Sequence, residues 1–61
     1  MRLIELLQVC SMNNGVVVDG WRYNSPALAV SQLSLWWLDR PVSGIQITNN
    51  GRDIEIKVSR V

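Results

Sequence analysis

The chain has 61 residues, six basic and five acidic side chains, a net charge of +1, and 48% hydrophobic residues. Such a chain buries only about 60% of its unfolded surface, so domains of this size usually need disulfides, a metal or oligomerisation for stability. One cysteine, Cys10, and the lack of histidine exclude an internal disulfide and leave no plausible ligand set for structural zinc. Composition therefore predicts one domain over residues 1–61, without metal or cofactor, that buries a subunit interface.

Residues 2–10 predict the first element, an amphipathic helix. Their apolar side chains follow the i, i+3, i+4, i+7 spacing of one helix face, at Leu3, Leu6, Leu7 and Cys10. Glu5 and Gln8 interrupt the apolar stretch, which is much shorter than the roughly 20 residues of a membrane span, and no small-residue cleavage site follows. We therefore expect neither a targeting signal nor a membrane span, and a cytoplasmic protein whose thiol stays reduced.

Residues 16–23 predict a β-hairpin. The three valines at 16–18 are β-branched, and Asp19 and Gly20 form a favoured two-residue turn because both tolerate positive φ. The predicted partners across the hairpin are Val16 with Tyr23, Val17 with Arg22, and Val18 with Trp21. This register places Val17 and Arg22 on the face opposite the other four side chains.

The next segment allows a helix. Ser25 has the residue type of an N-cap, and Pro26 suits the first position of a helix because its missing N–H is not needed there. In this interpretation the helix extends to Leu38.

The same segment also allows a strand followed by a helix. Residues 27–30 would form a short strand, and Ser31 would cap a brief helix that contains Trp36 and Trp37. Periodicity leaves the two interpretations open. In either case the segment ends before Pro41, because the residue preceding a proline is pushed out of helical geometry.

Residues 45–58 predict a second hairpin, with apolar and polar side chains in alternation and a two-residue turn at Asn50 and Gly51. The predicted partners are Ile45 with Ile56, Gln46 with Glu55, Ile47 with Ile54, and Thr48 with Asp53. All apolar side chains then fall on one face, which a one-residue slip would destroy. Together the elements predict a small α+β domain: an antiparallel sheet of two hairpins, an N-terminal helix and a short tryptophan-containing helix.

Three stretches of the chain resemble small phage and prophage proteins of Gram-positive bacteria: RLIELL at 2–7, NGVVVD at 14–19 and SLWWLDR at 34–40. The resemblance spans most of the chain and implies the element order α-β-β-α-β-β, which favours the strand at residues 27–30. It also implies a mobile-element origin. Many small phage proteins of this kind act by binding a host component, including components of antiviral defence.

Trp36 and Trp37 are the strongest candidates for an interface. Adjacent helical residues point about 100° apart, so both indoles cannot share one narrow core face. Tryptophan is enriched in protein interfaces. We therefore expect one indole in the core and the other against a second copy or a partner protein, with Arg22, Arg40 and Arg52 as a polar rim.

Trp21, Arg22 and Tyr23 form a second candidate set. Aromatic surfaces that carry arginine stack single-stranded bases or nucleotides, so this set indicates nucleic-acid or nucleotide binding as an alternative function. Ordinary cross-strand packing against Val16 and Val18 is the simpler interpretation.

No arrangement of residues in the sequence indicates catalysis. The five carboxylates fall on turns, strands and a helix without a close pair, Cys10 lacks an accompanying base, and the glycines form no phosphate-binding loop. We therefore predict a non-enzymatic, homo-oligomeric interaction protein, most simply a dimer. Its expected role, which depends on the resemblance, is that of a phage-encoded protein that binds and blocks a host protein. The alternatives are nucleic-acid or nucleotide binding and a structural or assembly accessory of a virion.

Overall fold

The computed structural model describes residues 1–11 and 13–60, in which three short α-helices pack against four strands of one sheet. The elements in chain order are α1 (Leu3–Val9), β1 (Gly15–Val18), β2 (Trp21–Tyr23), α2 (Pro26–Gln32), α3 (Leu35–Leu38), β3 (Val42–Thr48) and β4 (Asp53–Val58). The predicted small α+β fold is confirmed. The order is α-β-β-α-α-β-β, so the middle of the chain holds one helix more than the resemblance implied.

Both hairpins have the predicted register. The strands β1 and β2 pair Val16 with Tyr23, Val17 with Arg22 and Val18 with Trp21. The strands β3 and β4 pair Ile45 with Ile56, Gln46 with Glu55, Ile47 with Ile54 and Thr48 with Asp53. Positive φ values at the turn residues explain the choice of Asp-Gly and Asn-Gly, which tolerate this conformation: Asp19 55°, Gly20 78°, Asn50 58° and Gly51 85°.

The sheet is mixed, so the prediction of an antiparallel sheet is wrong in one respect. The strand order is β2-β1-β4-β3, and β1 runs parallel to β4 where the two hairpins meet. This junction places Val16 beside Ile54 and Val18 beside Ile56. The parallel pairing joins the apolar rows of the two hairpins on a single face, which the helices then cover.

Of the two interpretations left open for residues 27–30, the helix is correct and the strand that the resemblance favoured is wrong. The Ser25 hydroxyl accepts a hydrogen bond from the Leu28 N–H at 3.2 Å, and Pro26 begins α2. The helix does not continue to Leu38, since the backbone is extended at Leu33. In one continuous helix Ala29 and Leu38 would lie about 180° apart, and the break lets both pack into the core.

The core lies between the helices and the inner strands. Its largest fully buried side chains come from α1, β1 and β4, with relative exposures of 2% or less at Leu3, Val16, Val18 and Ile56. The helical layer stops short of β3, where Ile45 and Ile47 are 54% and 58% exposed. No helix in the described part of the chain is long and apolar enough to cross a membrane.

Candidate protein-interaction surface

The two adjacent tryptophans of α3 have different environments. Trp37 is half-buried and packs against the core, whereas Trp36 is 51% exposed. Their rings meet edge to face, with centroids 4.9 Å apart and an interplanar angle of 89°. Trp37 therefore lies between the core and Trp36 and packs against the Trp36 ring, as expected for one indole in the core and one on the surface.

Trp36 borders a shallow depression of about 540 Å³. Leu35, which is 81% exposed, and Ile4 contribute apolar walls, and the buried Leu38 also lines it. The charged residues of the lining are Arg2, Asp39 and Arg40. We call this set the Trp36 surface: Ile4, Leu35, Trp36 and Leu38 with the three charged residues around them.

The N-terminus and the start of β3 assemble the Trp36 surface from distant parts of the sequence. The Leu3 N–H donates to the Arg40 carbonyl at 2.9 Å, and the Val42 N–H donates to the Met1 carbonyl at 2.8 Å. These bonds bring Arg2 and Ile4 beside α3. The Arg2 Nη1 then donates to Asp39 Oδ1 at 2.9 Å, which closes the charged edge of the depression.

The two arginines of the surface differ in their partners. Its hydrogen bond to Asp39 raises the pKa of Arg2, so this guanidinium is charged and occupied within the chain. The Arg40 guanidinium lies 5.0 Å from the centroid of the Trp36 ring, a cation–π distance. Arg40 forms no ion pair with another described residue, and its buried Nε has no hydrogen-bond partner among them. Of the two arginines, Arg40 is therefore the one whose guanidinium has no carboxylate partner among the described residues.

The indole ring of Trp37 contacts a charged residue of the same chain. The Arg60 guanidinium lies 5.6 Å from the Trp37 ring centroid and also forms an ion pair with Asp19. These contacts join the segment after β4 to α3 and to the turn between β1 and β2. They favour a structural role for Trp37.

The second candidate set, Trp21, Arg22 and Tyr23, is not brought together. Tyr23 is 9% exposed in the core, and Trp21 is 66% exposed on the same side of the sheet. Arg22 lies on the opposite side and pairs with Asp53. The expected aromatic-plus-arginine patch is therefore wrong as a single surface, because neighbouring residues of a strand point to opposite faces.

The ion pair between Arg22 and Asp53 is a feature that sequence reasoning missed. Arg22 Nε and Nη2 donate to the two carboxylate oxygens of Asp53, each at 3.1 Å, and the Asn49 amide donates to the same carboxylate at 3.4 Å. The hydrogen bonds from Arg22 lower the pKa of Asp53, whose side chain is only 7% exposed. This bidentate pair crosses β1 at Gly15 and ties β2 to β4.

The three arginines of the predicted polar rim lie in different places. Arg40 lines the depression beside Trp36, whereas Arg22 and Arg52 do not. The charged residues that sequence reasoning missed there are Arg2 and Asp39, and their 37-residue separation leaves no local signal of their contact. The described residues contain no group of three or more carboxylate or thiol side chains that could hold a metal ion.

The Trp36 surface therefore offers a partner exposed apolar area, an aromatic ring and a guanidinium that no carboxylate of the described residues binds. This composition is that of the small energetically dominant regions of protein interfaces, which are enriched in tryptophan and arginine. No protein-family model matches the chain, and no curated protein or solved structure matches it.

Proposed function

We propose that this protein is a small, homo-oligomeric, phage-encoded interaction protein that binds and blocks a host protein in the bacterial cytoplasm, using the Trp36 surface. The observation that supports this function is the exposure of Leu35 and Trp36 by 81% and 51% on a four-residue helix. The next two residues, Trp37 and Leu38, supply the packing that holds α3 to the core. Leu35 and Trp36 are thus left for contact with another molecule.

The energetics of the Trp36 surface favour binding by burial. Covering a large apolar side chain contributes about 1.5–3 kcal/mol relative to leaving it in water. The folded chain gains little of this free energy from Leu35 and only part of it from Trp36. A partner that covers both residues gains this free energy on association. The surface that the partner uses in the contact is then blocked for its other interactions.

The charges around the depression define the partner more closely. Arg40 stacks on Trp36 and has no carboxylate partner among the described residues. Arginine binds carboxylates through two parallel hydrogen bonds, which are stronger than neutral ones. The best partner therefore presents an apolar side chain to the depression and an aspartate or glutamate to Arg40.

The distribution of the remaining charges favours a protein over a nucleic acid. Arg2, Arg22 and Arg60 each pair with a carboxylate of the same chain. Binding to a phosphate backbone depends on unpaired positive charges that share one face. The described ion pairs remove half of the six basic residues from such a role.

A pull-down from lysate of a Gram-positive host, with and without nuclease, tests the proposal. The bait is the full chain, compared with a double variant, Leu35→Ser with Trp36→Ser. Val9→Ser is the matched control, because Val9 is 73% exposed on α1 and does not line the depression. Circular dichroism establishes that all three chains are folded before the comparison.

We expect one near-stoichiometric host protein that survives nuclease, is retained by Val9→Ser and is lost with the double variant. Retention of that protein by the double variant would remove the Trp36 surface from the proposal. Recovery of nuclease-sensitive material alone would favour the nucleic-acid alternative, and recovery of the chain by itself would favour the assembly alternative.

A further inference from the structure

The outer strand β3 exposes backbone and apolar side chains together. Its seven residues, Val42–Thr48, include no charged residue and no proline. Natural edge strands usually carry charged residues or proline, or are very short, because an open edge can pair with a strand of another chain. The other outer strand, β2, has three residues and carries Arg22.

Part of the β3 edge is already covered by the same chain. Residues 1–3 run along residues 40–42, through a bridge between Arg2 and Pro41 and hydrogen bonds on either side of it. This cover ends at Val42. The edge over residues 44–48 therefore has no further strand beside it in the described part of the chain.

The open part of the edge adjoins an apolar row. Ile45 and Ile47 lie beside Ile56 and Ile54 on the side of the sheet that carries the core. They remain 54% and 58% exposed because the helices cover β1, β2 and part of β4. A molecule that extends the sheet past β3 would satisfy its backbone and cover these two isoleucines in one contact.

We propose that a second copy of this chain pairs with β3 in antiparallel orientation, around a two-fold axis at Gln46. This register sets Ile45 of each copy opposite Ile47 of the other and Gln46 opposite Gln46. The side-chain period of two then keeps all four isoleucines on the helical side of an eight-stranded sheet, whereas a one-residue slip would place isoleucine opposite glutamine.

The properties of the strand favour a second copy as the occupant. A neutral strand does not repel its own copy, and a glutamine amide both donates and accepts, so it is self-complementary across a two-fold axis. The pairing ends at Gly44, before the edge that residues 1–3 cover.

This inference rests on the self-association in the proposed function and names its surface, which is separate from the Trp36 surface. Sedimentation equilibrium over micromolar concentrations tests it on the full chain. We expect wild type at twice the chain mass of 6.9 kDa, and the double variant Ile45→Lys with Ile47→Lys at the mass of one chain. The Leu35→Ser/Trp36→Ser variant should remain dimeric, so loss of host binding and loss of the dimer are separable.

Cysteine cross-linking tests the register of the dimer without the lysine substitutions, which could also destabilise the fold. In a Cys10→Ser background, Gln46→Cys should form a disulfide-linked dimer under mild oxidation, since directly opposed strand residues have Cα separations of about 4.5–5.5 Å, within disulfide range. Thr48→Cys is the matched control, because in this register Thr48 opposes Gly44 and its two copies lie about 13 Å apart. Equal cross-linking of the two variants, a monomeric wild type, or open-ended assemblies would overturn the proposal.

Discussion

Replacing Gly15 by alanine should destabilise the fold, because the ion pair between Arg22 and Asp53 occupies the space that a β-carbon would need. An ideal β-carbon at Gly15 would lie 2.3 Å from Asp53 Oδ1 and 2.6 Å from Arg22 Nη2. Ordinary contacts begin at 3.4 Å, so the pair must move by about 1 Å. The backbone of Gly15 is not in the left-handed region, so the clash alone carries the effect.

The size of the stability loss depends on how far the side chains of Arg22 and Asp53 can move. The Asp53 side chain is 7% exposed and also accepts from Asn49, whereas Arg22 is half-exposed and is the partner that must swing away. Overpacking of this kind costs about 1–3 kcal/mol. In a domain of this length 1 kcal/mol corresponds to roughly 4–8 °C in melting temperature. Every glycine-to-alanine change also loses unfolded-chain entropy, so the clash shows in the comparison with Gly44→Ala, and Gly15→Ala should melt at least about 4 °C below that variant.

Gly44→Ala provides a matched control in the same sheet. Among the described residues, its β-carbon would meet only the Lys57 β-carbon, at 3.9 Å. Removing a glycine where alanine fits contributes about 0.4–1 kcal/mol through the unfolded chain, so this variant should melt at or above wild type. Thermal unfolding followed by circular dichroism at one protein concentration compares the three chains. Equal melting temperatures for Gly15→Ala and Gly44→Ala would refute the assignment of the space above Gly15 to the ion pair.

Two further predictions concern the ion pair and the helix cap. Arg22 holds the pKa of Asp53 below its ordinary value in the folded chain, so the stabilisation is complete above the unfolded pKa of about 4 and is lost as the pH falls through the lowered folded pKa. Urea midpoints between about pH 5 and pH 2 should therefore fall more steeply for wild type than for Asp53→Asn; parallel slopes would contradict this. Ser25→Ala removes the acceptor for the Leu28 N–H and should cost about 0.5–2 kcal/mol in urea unfolding. Ser34→Ala should cost less, since the Ser34 side chain makes no cap bond, and the reverse ranking would count against the cap.

Local chemistry explains which parts of the fold were predictable from sequence. A two-residue turn and alternation of period two together specify a hairpin register, and both hairpins have the predicted pairs. The N-cap residue Ser25 and the proline at the first position of α2 are also signals from neighbouring residues, and they correctly indicated this helix. The implied strand at residues 27–30 failed because Leu28 and Val30 alternate over too few residues to outweigh a capped helix.

The candidate site was predictable only in part. The tryptophan pair indicated one buried and one exposed indole from the angle between adjacent helical residues, and Trp37 and Trp36 have these environments. The sequence does not indicate that Arg2 and Ile4 lie beside them, since this depends on hydrogen bonds between residues 1–3 and 40–42. The predicted register already placed Arg22 on the face opposite Trp21 and Tyr23, but it did not indicate that Arg22 pairs with Asp53.

What the sequence by itself determined is therefore what depends on near neighbours: the amphipathic α1, both turns, both registers and the helix cap. The tertiary structure decided how these pieces meet. The parallel pairing of β1 with β4, the break between α2 and α3, and the exposure of Ile45 and Ile47 each depend on which apolar rows fit under one short helical layer. That choice is made by packing between segments far apart in the chain, for which turn chemistry and side-chain periodicity carry no signal.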